Sequence, residues 1–343
     1  MDRTRIPELL HSIRNVNIGV LGDFCLDCYW DLDTGTPEVS IETGRQTRAV
    51  QQQRYTPGGA GNVVSNLLAL GVREVHAFGI IGDDLFGREL MRHLQERGVT
   101  NEGLAVQQSG WDTAVYAKPY LGPEEQERID FGRFNRITPS TEDRVLSKLR
   151  KEIQGLDALI INQQLINGVC SPRLISELNA LALSRTETIF LLDSRNHRLG
   201  FRNMACKLNA AEAARTCGIS VGASQPIPSS QVKEFARQIS ARMGKPVFIT
   251  RSSDGIIALD AAGCWEISGV SIAHPVDPVG AGDTTVAAIA ATLAAAGTVE
   301  EAASIANLAA AVTVQKLRQT GTATPSEILE IASPLQGKNE VRP

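Results

Sequence analysis

Between residues 140 and 251 the chain alternates short apolar runs with longer helical patterns, and this alternation restricts the fold more than any other feature. Strands are expected at 158–162, 188–193 and 247–251, with helices at 140–154, 172–184, 209–216 and 229–243. Apolar strands joined by helical crossovers belong to a parallel sheet covered on both faces. Upstream, VNIGVLG (16–22) reads as a buried strand whose end delivers Asp23 and Asp27 to a loop, and a further unit pairs a strand at 75–81 with a helix at 86–97. A hairpin of 255–260 with 264–268 closes the edge, and helices at 284–296 and 300–317 end the fold. Residues 29–56 and 113–136 break this rhythm with polar, alternating stretches, and are expected to form a small β lid on one α/β domain spanning 1–343.

The 343 residues are 43% hydrophobic and 21% charged, enough for a large core. A net charge of −4 leaves no basic surface for nucleic acid, which directs attention to small molecules. No apolar run approaches the roughly 18 residues of a membrane span, and the start, MDRTRIPELLHSIRN, lacks a signal-peptide core, so the cytoplasm is the expected compartment. Six scattered cysteines fit reduced thiols. The CxxC of Cys25 and Cys28 has no second pair or histidine cluster to complete a metal site. Beyond Ser333 the tail is polar and expected to fray.

One turn carries chemistry. Asp277, Pro278, Val279, Gly280, Ala281, Gly282, Asp283 and Thr284 precede an alanine-rich helix, so the amides of 281–283 are expected to point outward at a helix N-terminus, with the helix dipole behind them. An anion can approach such a turn closely. A carboxylate in the same place repels a phosphate, which makes Asp283 a proton acceptor for phosphoryl transfer to a hydroxyl. The turn alone is equally compatible with an ordinary helix start, in which Asp283 satisfies first-turn amides.

Together with two further segments, GDFCLD (22–27) and PGGAGN (57–62), the turn DPVGAGDT (277–284) makes the chain resemble the ribokinase, or PfkB, family of carbohydrate kinases over nearly its whole length. The resemblance implies a ribokinase-like three-layer α/β/α sandwich with a mostly parallel central sheet and a β lid. It also implies ATP and Mg²⁺ as cofactors and a sugar or sugar phosphate as acceptor. Asp283 is then the base, and the amides of Gly280, Ala281 and Gly282 stabilise the transferred phosphoryl group. Asp27, Gly58, Gly59 and Asn62 match the sugar-binding positions; a carboxylate accepts from two hydroxyls of a diol, and an asparagine both donates and accepts.

For the nucleotide, the resemblance points to Asn209, Thr250, Arg251, Ser252, Gly255 and Asn307. Asn209 and Glu212 form an NxxE motif in which Glu212 reaches Mg²⁺ through water. Magnesium keeps several waters, so one carboxylate suffices. Asp277 matches a residue that in some members helps bind a monovalent cation, although Pro278 and Val279 replace the usual threonines.

Within the family, GDFCLDCYW, QERIDFGRF and ANLAAAVTVQKL are similar to the heptose 7-phosphate kinases, implying D-glycero-beta-D-manno-heptose 7-phosphate as acceptor. Two departures bear on this acceptor. Lysines of that subfamily are absent from INQQLING (161–168) and DSRNHR (193–198), and Arg195 and Arg198 are the candidate replacements for the second of them. The rival readings are a sugar, nucleoside or vitamin kinase on the same scaffold, and a sugar-binding regulator without catalysis. A homodimer paired through the lid is also expected.

Overall fold

The computed structural model describes residues 4–335 apart from 36, 223, 224, 274 and 318. Nine strands form the main sheet in the order Cys264–Ile267, Ile256–Leu259, Val247–Thr250, Ala205–Asn209, Ile189–Ser194, Ala158–Gln163, Asn17–Gly22, Glu74–Gly82 and Thr100–Gln107. Only the first two run antiparallel to their neighbours. Ala158–Gln163 is buried at every position, because a parallel strand in this setting is covered on both faces. Helices Ala281–Ala294 and Val299–Thr313 pack on one side, and their alanines (Ala287, Ala291, Ala302, Ala306 and Ala309 among them) are fully buried. Among the described residues no helix is long and apolar enough to cross a membrane.

The first strand, Asn17–Gly22, is the third from one edge of the sheet. Asn17–Gly22 lies between Glu74–Gly82 and Ala158–Gln163, so strand order reverses beside it. In open α/β sheets the crevice at such a switch point, beyond the carboxyl ends of the strands, is where ligands sit.

A second sheet rises from that crevice, in the order Ile129–Phe131, Ala114–Leu121, Phe24–Leu32 and Val50–Gly59, with Glu124–Glu125 added to Ala114–Leu121. Its faces differ. Phe24, Leu26, Cys28, Val115 and Ala117 are buried in the core of the main body, where each large apolar side chain contributes about 1.5–3 kcal/mol. On the opposite face, cross-strand register groups Asp27 with Thr56 and Tyr116.

Several expectations are corrected here. Asp27 stands in mid-strand instead of on a loop, because the sheet begins at Phe24, immediately after the first strand. The helix expected from 284 begins at Ala281, so the glycine turn is itself the first helical turn, and the next helix ends at Thr313 instead of 317. Strands Thr100–Gln107 and Ala205–Asn209 and helices Arg5–Ser12 and Pro325–Leu335 were not expected. The tail expected to fray lies, beyond Leu335, outside the described residues. Cys25 and Cys28 are both buried, and their three-residue offset along a strand sends them to opposite faces.

Candidate active site

Gly280 takes a left-handed conformation at φ 83° to open the helix Ala281–Ala294, and a Cβ there would lie 2.9 Å from Thr320 Cγ2. The first bond of the helix runs from the Thr284 amide to the Gly280 carbonyl. The amides of Gly282 and Asp283 precede it and make up a cradle at the helix start of the kind that suits an anion. Ala281 is a correction: its N–H donates to the Pro278 carbonyl at 3.2 Å and is not available to a phosphate.

Asn62 Nδ2 donates to Asp283 Oδ2 at 2.6 Å across 221 residues of sequence. Burial is the main influence raising the Asp283 carboxyl, to about 6; Asn62 opposes it, Asp193 adds to it, and Lys207 and Arg195 oppose it. A carboxylate near 6 is ionised at neutral pH and still basic enough to accept a proton, as a general base requires.

Lys207 was not singled out by sequence reasoning. It is buried in the strand Ala205–Asn209, its Nζ lies 3.5 Å from Asp193 Oδ1, and a Cβ on Gly282 would approach that Nζ to 3.1 Å. The ammonium therefore flanks the cradle. A charged residue inside the apolar strand ACKLN, two positions before Asn209, was the available signal. Asn162, fully buried, donates to Asp193 Oδ2 at 3.4 Å and fixes that carboxylate from the other side.

Beside the glycine turn, a pocket of about 710 Å³ is lined by Thr250, Ser252, Gly255, Asn307, Ala281 and Gly282, with aliphatic walls from Val270, Ile272, Ala310 and Val314. The Asn307 amide donates to the Ser268 carbonyl at 2.9 Å and fastens the pocket's rim. Arg251 does not line the pocket; its guanidinium meets Glu266 at 2.7 Å and Asp254 at 3.4 Å. Asn209 and Glu212 form a reciprocal capping box at the start of Ala210–Thr216. Both the Asn209 amide and Arg198 reach Glu212 Oε2, which leaves Oε1 for a water of a hydrated Mg²⁺. That donor set suits an outer-sphere role. Among the described residues no three His, Cys, Asp or Glu side chains converge as metal ligands. Asp277 Oδ1 accepts from the Val279 amide, and its own amide donates to Val314.

On the second sheet, Asp27 pairs with Lys118 Nζ at 2.9 Å, and a Cβ on Gly58 would lie 2.7 Å from Asp27 Oδ2, so glycine there makes room for the carboxylate. Lys118, also unforeseen, lies 4.8 Å from the centre of the Tyr29 ring. Gly59, at φ 54°, turns the chain into the helix Ala60–Leu70 that carries Asn62. Asp23 is a structural anchor. Its carboxylate accepts from the amides of Gln164, Leu165 and Val169, and a Cβ on Gly168 would collide with it. Gln163 then stitches this loop to the next one, accepting from Ser194 Oγ and the Asn196 amide. Of the two arginines in that second loop, Arg198 is committed to Glu212, Ser194 and Thr216. Arg195 is exposed, and its charge acts on both Asp283 and Tyr116.

The family model for pfkB family carbohydrate kinases matches residues 26–327. Curated relatives include proteins named Bifunctional protein HldE: that of Trichlorobacter lovleyi is 30% identical over 338 residues, covering 97% of this chain and 66% of that protein. The one from Wolinella succinogenes is 31% identical over 342 residues, covering 97% and 68%. The chain thus spans about two thirds of the length of these relatives. Among solved structures, phosphofructokinase-2 from Escherichia coli in complex with potassium superimposes with a TM-score of 0.75 at 18% identity, covering 94% of this chain and 99% of that one. Arabidopsis thaliana ribokinase complexed with ribose and ATP gives 0.69 at 16%, covering 92% and 98%. At such identity the likeness speaks to the fold alone.

Proposed function

Because this chain belongs to the pfkB family of carbohydrate kinases, we propose that it transfers the γ-phosphoryl group of ATP to a hydroxyl of a phosphorylated sugar, of the heptose 7-phosphate kind. The observation that supports the reading is the bond between Asn62 and Asp283, a carboxylate in the first turn of a helix whose Ala281 and Gly282 line the pocket of about 710 Å³. ATP lies along the aliphatic walls with its terminal phosphate at the amides of Gly282 and Asp283 and at Lys207. Asp283 takes the hydroxyl proton as the oxygen attacks phosphorus, the bond to the bridging oxygen breaks, and ADP leaves. Glu212 would hold a hydrated Mg²⁺ bound with the nucleotide, and that ion would supply neutralisation of phosphate charge. The chain's contribution is positioning and preorganised charge.

Asp27 takes the sugar's hydroxyls on the inner face of the second sheet, which closes over the acceptor and excludes water. Arg195, exposed between Asp283 and Tyr116, is the candidate partner for the acceptor's phosphate. The motif likeness to heptose 7-phosphate kinases and the identity to proteins named HldE support this acceptor class. Exposed apolar residues on the second sheet, Val50, Ile129 and Phe131, support pairing with a second copy, which sedimentation tests directly.

A panel of sugars and sugar phosphates, including heptose 7-phosphate and fructose 6-phosphate, with coupled ADP detection tests the acceptor. Turnover only with unphosphorylated sugars overturns it. If Asp283→Asn keeps turnover within about tenfold of wild type, about 1.4 kcal/mol of barrier, the base is elsewhere.

A further inference from the structure

Behind Asp283 runs a chain of hydrogen bonds that the transfer step does not use. Thr284 Oγ1 lies 2.7 Å from Asn66 Oδ1, 2.9 Å from Thr313 Oγ1 and 3.2 Å from the Gly280 carbonyl. Its single hydrogen goes to the nearer acceptor, Asn66 Oδ1, and Thr313 donates to Thr284. The Asn66 amide donates to the Asn62 carbonyl at 2.9 Å and lies 3.4 Å from Asn62 Oδ1. With Asn62 Nδ2 donating to Asp283, every donor points the same way, across three helices, toward the carboxylate.

These groups are costly to bury. Asn66, Thr284 and Thr313 have no exposure and Asn62 has 3%, in a core whose commonest residue is alanine. Polar side chains so placed need partners, and a fully satisfied chain fixes each member's orientation. Asn62 is symmetric in shape and could present either end of its amide. With its Oδ1 turned toward Asn66 Nδ2, only its N–H is left for Asp283.

We propose that Asn66, Thr284 and Thr313 are positioning residues for phosphoryl transfer, holding the Asn62 amide so that its N–H, and not its carbonyl, meets Asp283. The role in transfer rests on the reading of Asp283 as the base. A flipped Asn62 sets a carbonyl oxygen against the carboxylate, which disfavours its charge and drives protonation. The other charged groups acting on Asp283, namely Asp193, Lys207 and Arg195, and the buried Cys25 thiol, stay in place in either case.

Thr284→Val keeps the shape and removes the hydroxyl; Thr284→Ser keeps the hydroxyl. Valine should lower kcat about tenfold, leave KM for ATP within about twofold and raise the midpoint of the Asp283 carboxyl titration by about half a pH unit or more. That titration is read by carbon NMR and assigned by the signal lost in Asp283→Asn. Serine should behave as wild type in all three. Should the valine protein fail to fold, Asn66→Leu is measured the same way, with the same shift expected. An unmoved midpoint in the folded variant, or a serine variant as impaired as valine, overturns the proposal. The base reading fails separately, through an active Asp283→Asn, and the carboxyl titration still decides whether the chain orients Asn62.

Discussion

Removing the charge of Asp283 should make the protein more stable while it disables transfer. Burial foremost lifts this carboxyl from 3.8 to about 6, and two units at about 1.4 kcal/mol each amount to about 3 kcal/mol. Partial exposure to the cleft screens the group, so this is an upper figure. The native state binds the proton more tightly than the unfolded chain does. Its stabilising contribution is therefore complete below 3.8 and is lost as pH rises through about 6. At pH 7.5 the ionised wild type carries the full burden. Asparagine does not titrate, and its carbonyl can still accept from Asn62 Nδ2. Asp283→Asn should accordingly exceed wild type by up to about 3 kcal/mol at pH 7.5, a few degrees in Tm, and the gain should fade toward zero near pH 4. Denaturation series from pH 4 to 8 on both proteins measure the difference. A gain independent of pH, or no gain at pH 7.5, refutes the reasoning.

Three further outcomes are expected. In the wild type, kcat should fall about tenfold per pH unit on the acid side of a midpoint near 6, since protonated Asp283 cannot accept the hydroxyl proton; a midpoint near 4 in the pH–rate profile counts against it. Lys207→Met should cost about a hundredfold or more in kcat, from the lost charge at the cradle, and also reduce stability by about 3 kcal/mol because Asp193 is left buried without its partner; steady-state kinetics and urea denaturation read the two effects separately. Asp27→Asn should raise KM for the sugar well before it affects KM for ATP, which a two-substrate kinetic matrix resolves.

The sequence was most informative where local chemistry and long-range packing agree. Strands such as Ala158–Gln163 and helices such as Ser229–Met243 follow from periodicity, because both faces of the sheet are apolar and each helix carries one apolar stripe. Thr100–Gln107 is hard to read in the sequence because its first three residues, TNE, are polar and its longest buried run, 103–105, is only three residues. Gly58, Gly59, Gly280 and Gly282 stand out in the sequence, but not what each one admits: Asp27 at Gly58, Lys207 at Gly282. Lys207, Asp193 and Lys118 become meaningful only when strands distant in sequence are laid side by side. Arg251 shows the reverse, since a strand-end arginine suits a phosphate on paper, whereas the fold places Glu266 against it.

Asp23 and Asp27 are four residues apart yet belong to different parts of the molecule. Through three amides Asp23 clamps the loop 164–169 to the end of the first strand, while Asp27 rides on the sheet that begins at Phe24. Leu26 and Cys28, on either side of Asp27, are fully buried in the core of the main body, so Asp27 is held as firmly as Asp23. In the proposed function the acceptor would therefore be gauged against a fixed mark, with any closing movement left to the outer parts of the second sheet.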